Sequence, residues 1–566
     1  MQAMDPSKVN SRECEHRAID TEIGSLQESI HVLRYHRNAL APISSLPNEI
    51  IATIFFLLRS PDTVGQPDIH FVLRAAHVCH LWREIALGHP LLWSYINFTT
   101  VSATGATEIL ARAKTAPLYL EAKVTLNHWD DAQFLAFQKV LQVHISHIHH
   151  LRISAERFRL RTTLEGLISP APSLEHLSLS VEKCPGSILF QVSIPDTLFD
   201  GITPRLSSLR LCHCHISWKS PLLKGLENLT LSACTRPSLA DWLDALDDMP
   251  QLKRLVLDSA SPITRFPFDV KRTVTLPSLM HLDISTSVWG CGVAFTHLVL
   301  PALTSLCVTA SSVHLTTNEM QILPLVQHAH GPQDTQPLQS VSICGEITHI
   351  GILAFPSRTS PNIDIVESEA KLSARVALSF TSMFKNVLDH VRVFNAAVAD
   401  LPLDNLVALA APHNTQLNEQ FWRHQAPRWC LLKHLHLAPL PARSFRDMLL
   451  RDDGGSECPV LPSLTNLELI DGALSARRTL LLCDALMKRV EQGVPLEVLD
   501  LRTCHATSIA VQLLGEIVAD IWCPPELVTI EESMNITWAG ATGPFVSDDD
   551  SEEEYYSIRS NLYLYA

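Results

Sequence analysis

The hydrophobic positions fall into three successive patterns. Over residues 13–41, Ile19, Ile23, Leu26, Ile30, Leu33 and Leu40 recur at alternating steps of four and three, with Arg37 in the one missing place. This is a heptad stripe and predicts one helix, stopped by Pro42. Such a stripe either joins two chains in a short coiled coil or docks the helix on its own chain; so few heptads favour docking. Over residues 42–98 the apolar faces widen. Ser45 is placed to cap a helix entered through Leu46 and Pro47, and Ile50, Ile51, Ile54, Phe55 and Leu58 give that helix a broad apolar face. A second helix carries Leu73, Val78, Leu81, Trp82, Ile85 and Ala86 and stops near Gly88-His89-Pro90; Leu91, Leu92 and Trp93 open a further short segment. Roughly 50 residues is marginal for an independent core. A module with Trp82, Trp93 and two adjacent Phe residues is therefore expected to share apolar surface with something else.

The third pattern is a repeat. The template Leu-x-x-Leu-x-Leu, with conservative swaps, appears at Ile148–Ile153, Leu174–Leu179, Leu206–Leu211, Leu226–Leu231, Leu252–Leu257, Leu279–Ile284, Leu303–Val308 and Leu338–Ile343, and returns at Leu388–Val393, Leu432–Leu437, Leu464–Leu469 and Leu496–Leu501. Pro-x-Leu opens several copies, at Pro172, Pro250, Pro277, Pro301 and Pro462, where a missing N–H costs no ladder bond. Cys214, Cys234 and Cys504 each follow the first Leu by eight residues. The pattern resembles leucine-rich repeats, which place a buried Asn or Cys there; it is weakest between 309 and 430 and reaches across 99–535. One such unit cannot bury its own leucine face, so neighbours must stack into a common core. The fold class expected is α/β: an N-terminal helix and a three-helix module, then an irregular solenoid with a parallel sheet on its concave face. The third and fifth template positions face that open side. They are mixed and polar, and Arg210, Asn228, Arg254, His281, Asp283, Arg392, His434 and His436 are the candidate contacts for an unidentified protein target.

The 42–98 module has its own resemblance. Leu46-Pro47-x-Glu49-Ile50-Ile51-x-x-Ile54-Phe55, then Val78-Cys79-x-x-Trp82-x-x-Ile85-Ala86, then Pro90-x-Leu92-Trp93-x-x-Ile96, is similar to an F-box, in the version with a preceding heptad helix found in the large F-box families of mushroom-forming fungi. The resemblance implies docking on the Skp adaptor of Skp–Cullin–F-box ubiquitin ligases. Leu46, Pro47, Ile50, Ile51 and Ile54 would meet the adaptor; Val78, Cys79 and Trp82 would hold the module together and contribute near the contact. The stretch 60–70 departs from the pattern by being longer and more polar than usual. A plain three-helix core that merely caps a repeat scaffold is the other reading.

Composition narrows the remaining classes. With 44 basic against 59 acidic residues the net charge is −15, which argues against a broad nucleic-acid surface. The most apolar later window, 396–412, contains Asp400 and Asp404 and is too short to span a bilayer. The N-terminus carries no apolar secretory stretch, so the expected location is the cytoplasm, the nucleus or both, and the 14 cysteines are expected as thiols. No Gly-x-Ser-x-Gly, P-loop, His-Glu-x-x-His or kinase signature is present, and no catalytic residue, cofactor or metal is expected. Cys212-His213-Cys214-His215 has four possible ligands, but neighbours on a strand point to opposite sides. His144, His147, His149 and His150 lack a nearby carboxylate in the sequence and read as ordinary exposed histidines. Arg152, Arg157, Arg159 and Arg161 read as a solvated basic patch. Residues 1–12 and 536–566 are expected to be unstructured; the latter hold six acids in the eight residues Ser547–Glu554.

Overall fold

The structure, a computed structural model, describes residues 6–59, 69–125, 129–182, 191–261, 272–311, 337–346, 349–356, 374–381, 398, 401–411, 422, 424–437, 459–470 and 473–529. Arg392, the template copy at 388–393 and the acidic tail at 536–566 lie outside the described residues.

Helix α1 runs Pro6–Ala39, so residues 6–12, expected as an unstructured lead, are its first turns. It is followed by α2 (Asn48–Arg59), α3 (Ile69–Ala76) and α4 (His80–Gly88). The chain then lays down strands β1 (Tyr95–Asn97), β2 (Leu118–Val124), β3 (Ile148–Ala155), β4 (His176–Val181), β5 (Ser208–Cys212), β6 (Asn228–Ser232), β7 (Arg254–Asp258), β8 (His281–Ser287) and β9 (Ser305–Ser311). Strands β10 (Ser340–Glu346), β11 (His349–Phe355), β12 (Val376–Thr381), β13 (Ala408–Ala411), β14 (His434–Leu437), β15 (Asn466–Leu469), β16 (Val498–Asp500) and β17 (Asp520–Trp522) complete one 17-stranded sheet. Helices α5 (Ala103–Ala113), α6 (Asp131–His144), α7 (Arg157–Gly166), α8 (Leu239–Asp247), α9 (Val288–His297), α10 (Ala476–Glu491) and α11 (Ser508–Gly515), or short 3-10 turns such as Pro221–Leu223, return the chain between strands. Hydrogen bonding holds strands about 4.8 Å apart, whereas packed helices need about 8–10 Å. The strand side is therefore the inner, concave side of a leucine-rich-repeat solenoid.

Register carries the repeat. Leu177, Leu209, Leu229, Leu255, Leu282 and Leu306 pair across β4–β9 as one row, and Leu179, Leu211, Leu231, Leu257, Ile284 and Val308 as the next. None is more than 2% exposed. The Pro-x-Leu segments are turns rather than strand starts: the Leu174, Leu252, Leu279 and Leu303 amides donate to the carbonyls of Ala171, Met249, Leu276 and Leu300, with Pro second in the turn, where its fixed φ fits. Past β5 and β6 the chain dives inward through a left-handed residue, His213 (φ 54°) and Ala233 (φ 50°). The Cys that follows is buried, and its thiol donates to a carbonyl of the preceding repeat: Cys214 to Leu179 (3.8 Å), Cys234 to Leu211 (3.6 Å), Cys504 to Leu469 (3.1 Å). Burial pushes the Cys234 thiol up to about 11 and Cys214 higher still, so both stay protonated. This answers the Cys212–His215 question, since Cys214 is committed to the core.

The irregular stretch is a topological inversion. In space the order is β1 to β9, then β12, β11, β10, then β13 to β17. Every neighbouring pair is parallel except the two that involve β11. The β10–β12 meander thus enters the sheet last strand first, and the outer strands β10 and β12 keep the common direction. Strand β13 is a repeat strand that the leucine template overlooks, because Ala411 stands where the last leucine belongs.

Two internal arginines pin the array from inside. Arg489 of α10, 1% exposed, donates to the carbonyls of Val460 (3.0 Å), Leu461 (3.1 Å) and Leu464 (3.0 Å), and burial pushes its guanidinium down to about 10. Arg159 is likewise buried, donating to Trp129 O at 3.0 Å, so it does not belong to a solvated basic patch. Arg152 and Arg161 pair with Glu121 and Glu165. Arg489→Met keeps the packed stem and removes the donors. It is expected to cost about 3 kcal/mol through stranded carbonyls, read as a lower thermal unfolding midpoint; an unchanged midpoint would count against this bracing role.

Candidate functional site

Two surfaces are built for contact. The first is the outer face of the helical module. Helix α2 is apolar on two sides. Ile51, Ala52 and Phe55 point inward and are at most 2% exposed, Phe55 meeting Trp82 edge-on at 5.0 Å between ring centroids. On the opposite side Ile50 (47% exposed), half-buried Ile54, Leu57 and Leu58 recur at helical spacing and face solvent. Leu46 and Pro47 continue this face, and Leu73, Val78, Leu87 and Leu91 add exposed apolar side chains on the same module. A short helix with a second apolar side left in solvent is a place for a partner to dock.

The residues singled out from sequence divide accordingly. Leu46, Pro47 and Ile50 are exposed and available, and Ile54 is half so. Ile51 is fully buried and holds α2 to the module, because its place in the helix turns it toward Phe55 rather than outward. Val78 is 59% exposed and does not hold the module together; Cys79, half-buried, precedes α4, and Trp82 does pack inside. Ser45 is not the cap of α2. Its hydroxyl donates to Pro42 O (2.7 Å) within a 3-10 turn, and the Ile50 and Ile51 amides reach the Pro47 carbonyl instead.

The inner face of the module caps the solenoid. Trp93, 1% exposed, donates its indole N–H to Ala86 O at 2.7 Å, while Arg112 of α5 stacks its guanidinium 4.7 Å over the ring. Strand β1 lies at the end of the module yet pairs with β2, and one continuous buried cluster runs from Ile51 to Val518. A boundary at residue 98 therefore cuts through shared core. Helix α1 behaves otherwise than expected: Ile19, Ile23, Leu26, Ile30, Leu33 and Leu40 are all 46% exposed or more. Thirty-four residues extend about 50 Å, well beyond what the small module can cover. Among the described residues its ring contact with the rest of the chain is Tyr35 against His80 at 6.0 Å.

The second surface is the concave face, and it is two stretches rather than one. In the first, Asn228, Arg254 and His281 stand in one row, with Arg210 and Asp283 in the next. Arg210, Arg254 and His281 are exposed, and Asn228 and Asp283 partly so. The face then closes: Ala377, Ser379, Ala408 and Ala410 are buried, and Leu353, Ala374 and Ala377 form a separate apolar cluster with Cys307 and Phe355. Polar side chains resume on β14, about 34 Å from β7 at the spacing of strands. There His434, His436, Asn466, Glu468, Val498, Asp500, Arg502 and Trp522 line a cavity of about 250 Å³. His436 pairs with Glu468, and Arg502 grips both carboxylate oxygens of Asp500 through the Nε–Nη2 edge of its guanidinium (2.6–3.0 Å) while lying 5.2 Å over Trp522. Burial, and then the charge of His436, hold His434 below the ordinary imidazole range. Asp500, Arg502 and Trp522 were missed from sequence, although Asp500 occupies the fifth position of the Leu496–Leu501 copy.

Residues 43–99 match the family model described as F-box-like. The apolar outer face therefore belongs to an F-box-like domain, preceded by α1 and continued by a leucine-rich-repeat solenoid. Among solved structures, an internalin from Listeria monocytogenes matches at 14% identity, over 66% of this chain and 84% of that one, with a TM-score of 0.22. So loose a superposition carries no argument, and the repeat architecture rests on the strand register. No curated protein matches the sequence.

The two sides of α2 make opposite predictions. Ile51→Ala empties a fully buried site and is expected to cost about 2–4 kcal/mol. Ile50→Ala is expected to cost under about 1 kcal/mol. Thermal unfolding of both variants checks this; equal losses would mean that the outer face is packed.

Proposed function

We propose that this protein is the substrate-recognition subunit of a Skp–Cullin–F-box-type ubiquitin ligase, working in the cytoplasm, the nucleus or both. Its F-box-like domain binds the Skp adaptor, and the concave face of its solenoid holds a target protein. The observation that carries the reading is the second apolar side of α2, with Leu46, Pro47, Ile50, Leu57 and Leu58 uncovered inside the segment that matches the F-box-like model. Burying a leucine or isoleucine side chain contributes about 1.5–3 kcal/mol, so three or four of these residues are enough to anchor a subunit. The role needs no catalytic residue. Held near a loaded conjugating enzyme, a target lysine reacts at raised effective concentration.

The scaffold reading survives only in part. The module does cap the solenoid, through Trp93 and β1, but capping uses its inner side and leaves the outer one free. Deleting 42–98 would therefore uncover solenoid core under either reading and cannot separate them. Point changes on the outer side do.

Leu46→Ala combined with Pro47→Ala, and separately Ile50→Asp, are expected to abolish co-purification of the Skp adaptor while leaving the thermal midpoint within a few degrees of the parent. Adaptor capture undiminished in both folded variants would refute the assignment and leave a capped scaffold.

A further inference from the structure

The histidines at the end of α6 and along β3 looked unsupported because no carboxylate lies near them in sequence. The sheet supplies one from the next repeat. Strand register sets His150 beside His176, and Glu175 directly precedes His176 on the neighbouring strand. A ring nitrogen of each histidine and a carboxylate oxygen of Glu175 all lie within 4.8 Å of one another, and all three residues are half-buried on the concave side. We propose that His150, Glu175 and His176 form a binding site for a divalent transition-metal ion, zinc by preference, at the first polar stretch of the concave face.

Donor chemistry, support and reach all favour this assignment. Two imidazoles and one carboxylate are a donor set that suits zinc, which takes three protein ligands and keeps a fourth position for water or an incoming group. A tetrahedral ion with bonds near 2.0–2.1 Å needs its ligand atoms about 3.3 Å apart. Closing from 4.8 Å is within the reach of imidazole and carboxylate torsions, whose wells are broad.

The starting geometry is a stack. His150 lies between Tyr119 (4.4 Å between centroids, 27° between planes) and His176 (4.0 Å, 23°), so binding an ion requires the two imidazoles to turn out of the stack and aim a ring nitrogen each at one point. His149 Nδ1 lies 3.2 Å from Glu175 Oε1 and helps to orient the carboxylate. With a fourth position left for water or an incoming group, a bound ion would offer a target histidine or carboxylate an anchor. This site stands apart from the F-box-like domain and does not depend on adaptor docking.

The test uses the full chain, stripped of metal, titrated with Co²⁺ as a spectroscopic stand-in and with Zn²⁺ by calorimetry. The parent is expected to bind one equivalent that His150→Gln, His176→Gln and Glu175→Gln each weaken by at least about tenfold. A control at an exposed position far along the array, His505→Gln, should leave that equivalent unchanged. Zinc should raise the thermal midpoint of the parent and the control but not of the three variants. Gln preserves a planar polar side chain, so the metal-free fold is retained, and far-ultraviolet circular dichroism verifies it; any one variant that fails to fold leaves the other two to decide. Loss of the equivalent from the three variants alone supports the site. No binding by the parent, or an equivalent retained in the folded variants because cysteines elsewhere hold it, overturns it and leaves a stacked aromatic ladder.

Discussion

Everything in this molecule follows from the inability of one strand-turn unit to hide its own leucines. The two inward leucines of β6, for example, are covered only because Leu209 and Leu211 lie on one flank and Leu255 and Leu257 on the other. Backbone pairing sets the spacing, and the spacing brings equivalent side chains into rows. A row of leucines becomes core, and a row on the opposite side becomes surface chemistry. The rows also explain why the ends of the array matter. Strand β1 is an edge strand paired only with β2 among the described residues, and the module's core is continued into the solenoid where Arg112 covers the Trp93 ring.

This continuity organises the N-terminal end. Helix α2 spends one apolar side on the shared core and retains another in solvent. A purely structural cap would carry polar groups at Ile50, Leu57 and Leu58, since exposed apolar side chains there add nothing to folding. Their retention on a segment that matches the F-box-like model is what ties structure to a docking role. Along the sheet, the closed middle of the concave face divides its polar surface into a histidine-rich stretch near the module and a cavity walled by Asp500, Arg502 and Trp522. A single extended ligand would have to bridge a strip of buried alanines to use both.

Local pattern alone already specified a good deal. The leucine template, the buried cysteines at 214, 234 and 504, and the widened apolar faces of the module could be read because each reflects a rule acting within one repeat or one helix turn. The same period-2 logic correctly put Arg210, Asn228, Arg254, His281, Asp283, His434 and His436 on the open side. The reading failed where two distant segments had to meet. The direction in which Ile51 points, the exposure of the α1 stripe, the reversed entry of β10–β12 and the closure over Ala377 are all decided by contacts between residues far apart in the chain. So is the meeting of His150 with Glu175, which lie in different repeats. Chain order carries the period of the repeat, because periodicity is a property of neighbours; which rows end up facing one another is settled only when hydrogen bonds between strands choose a register, and that choice belongs to the folded sheet.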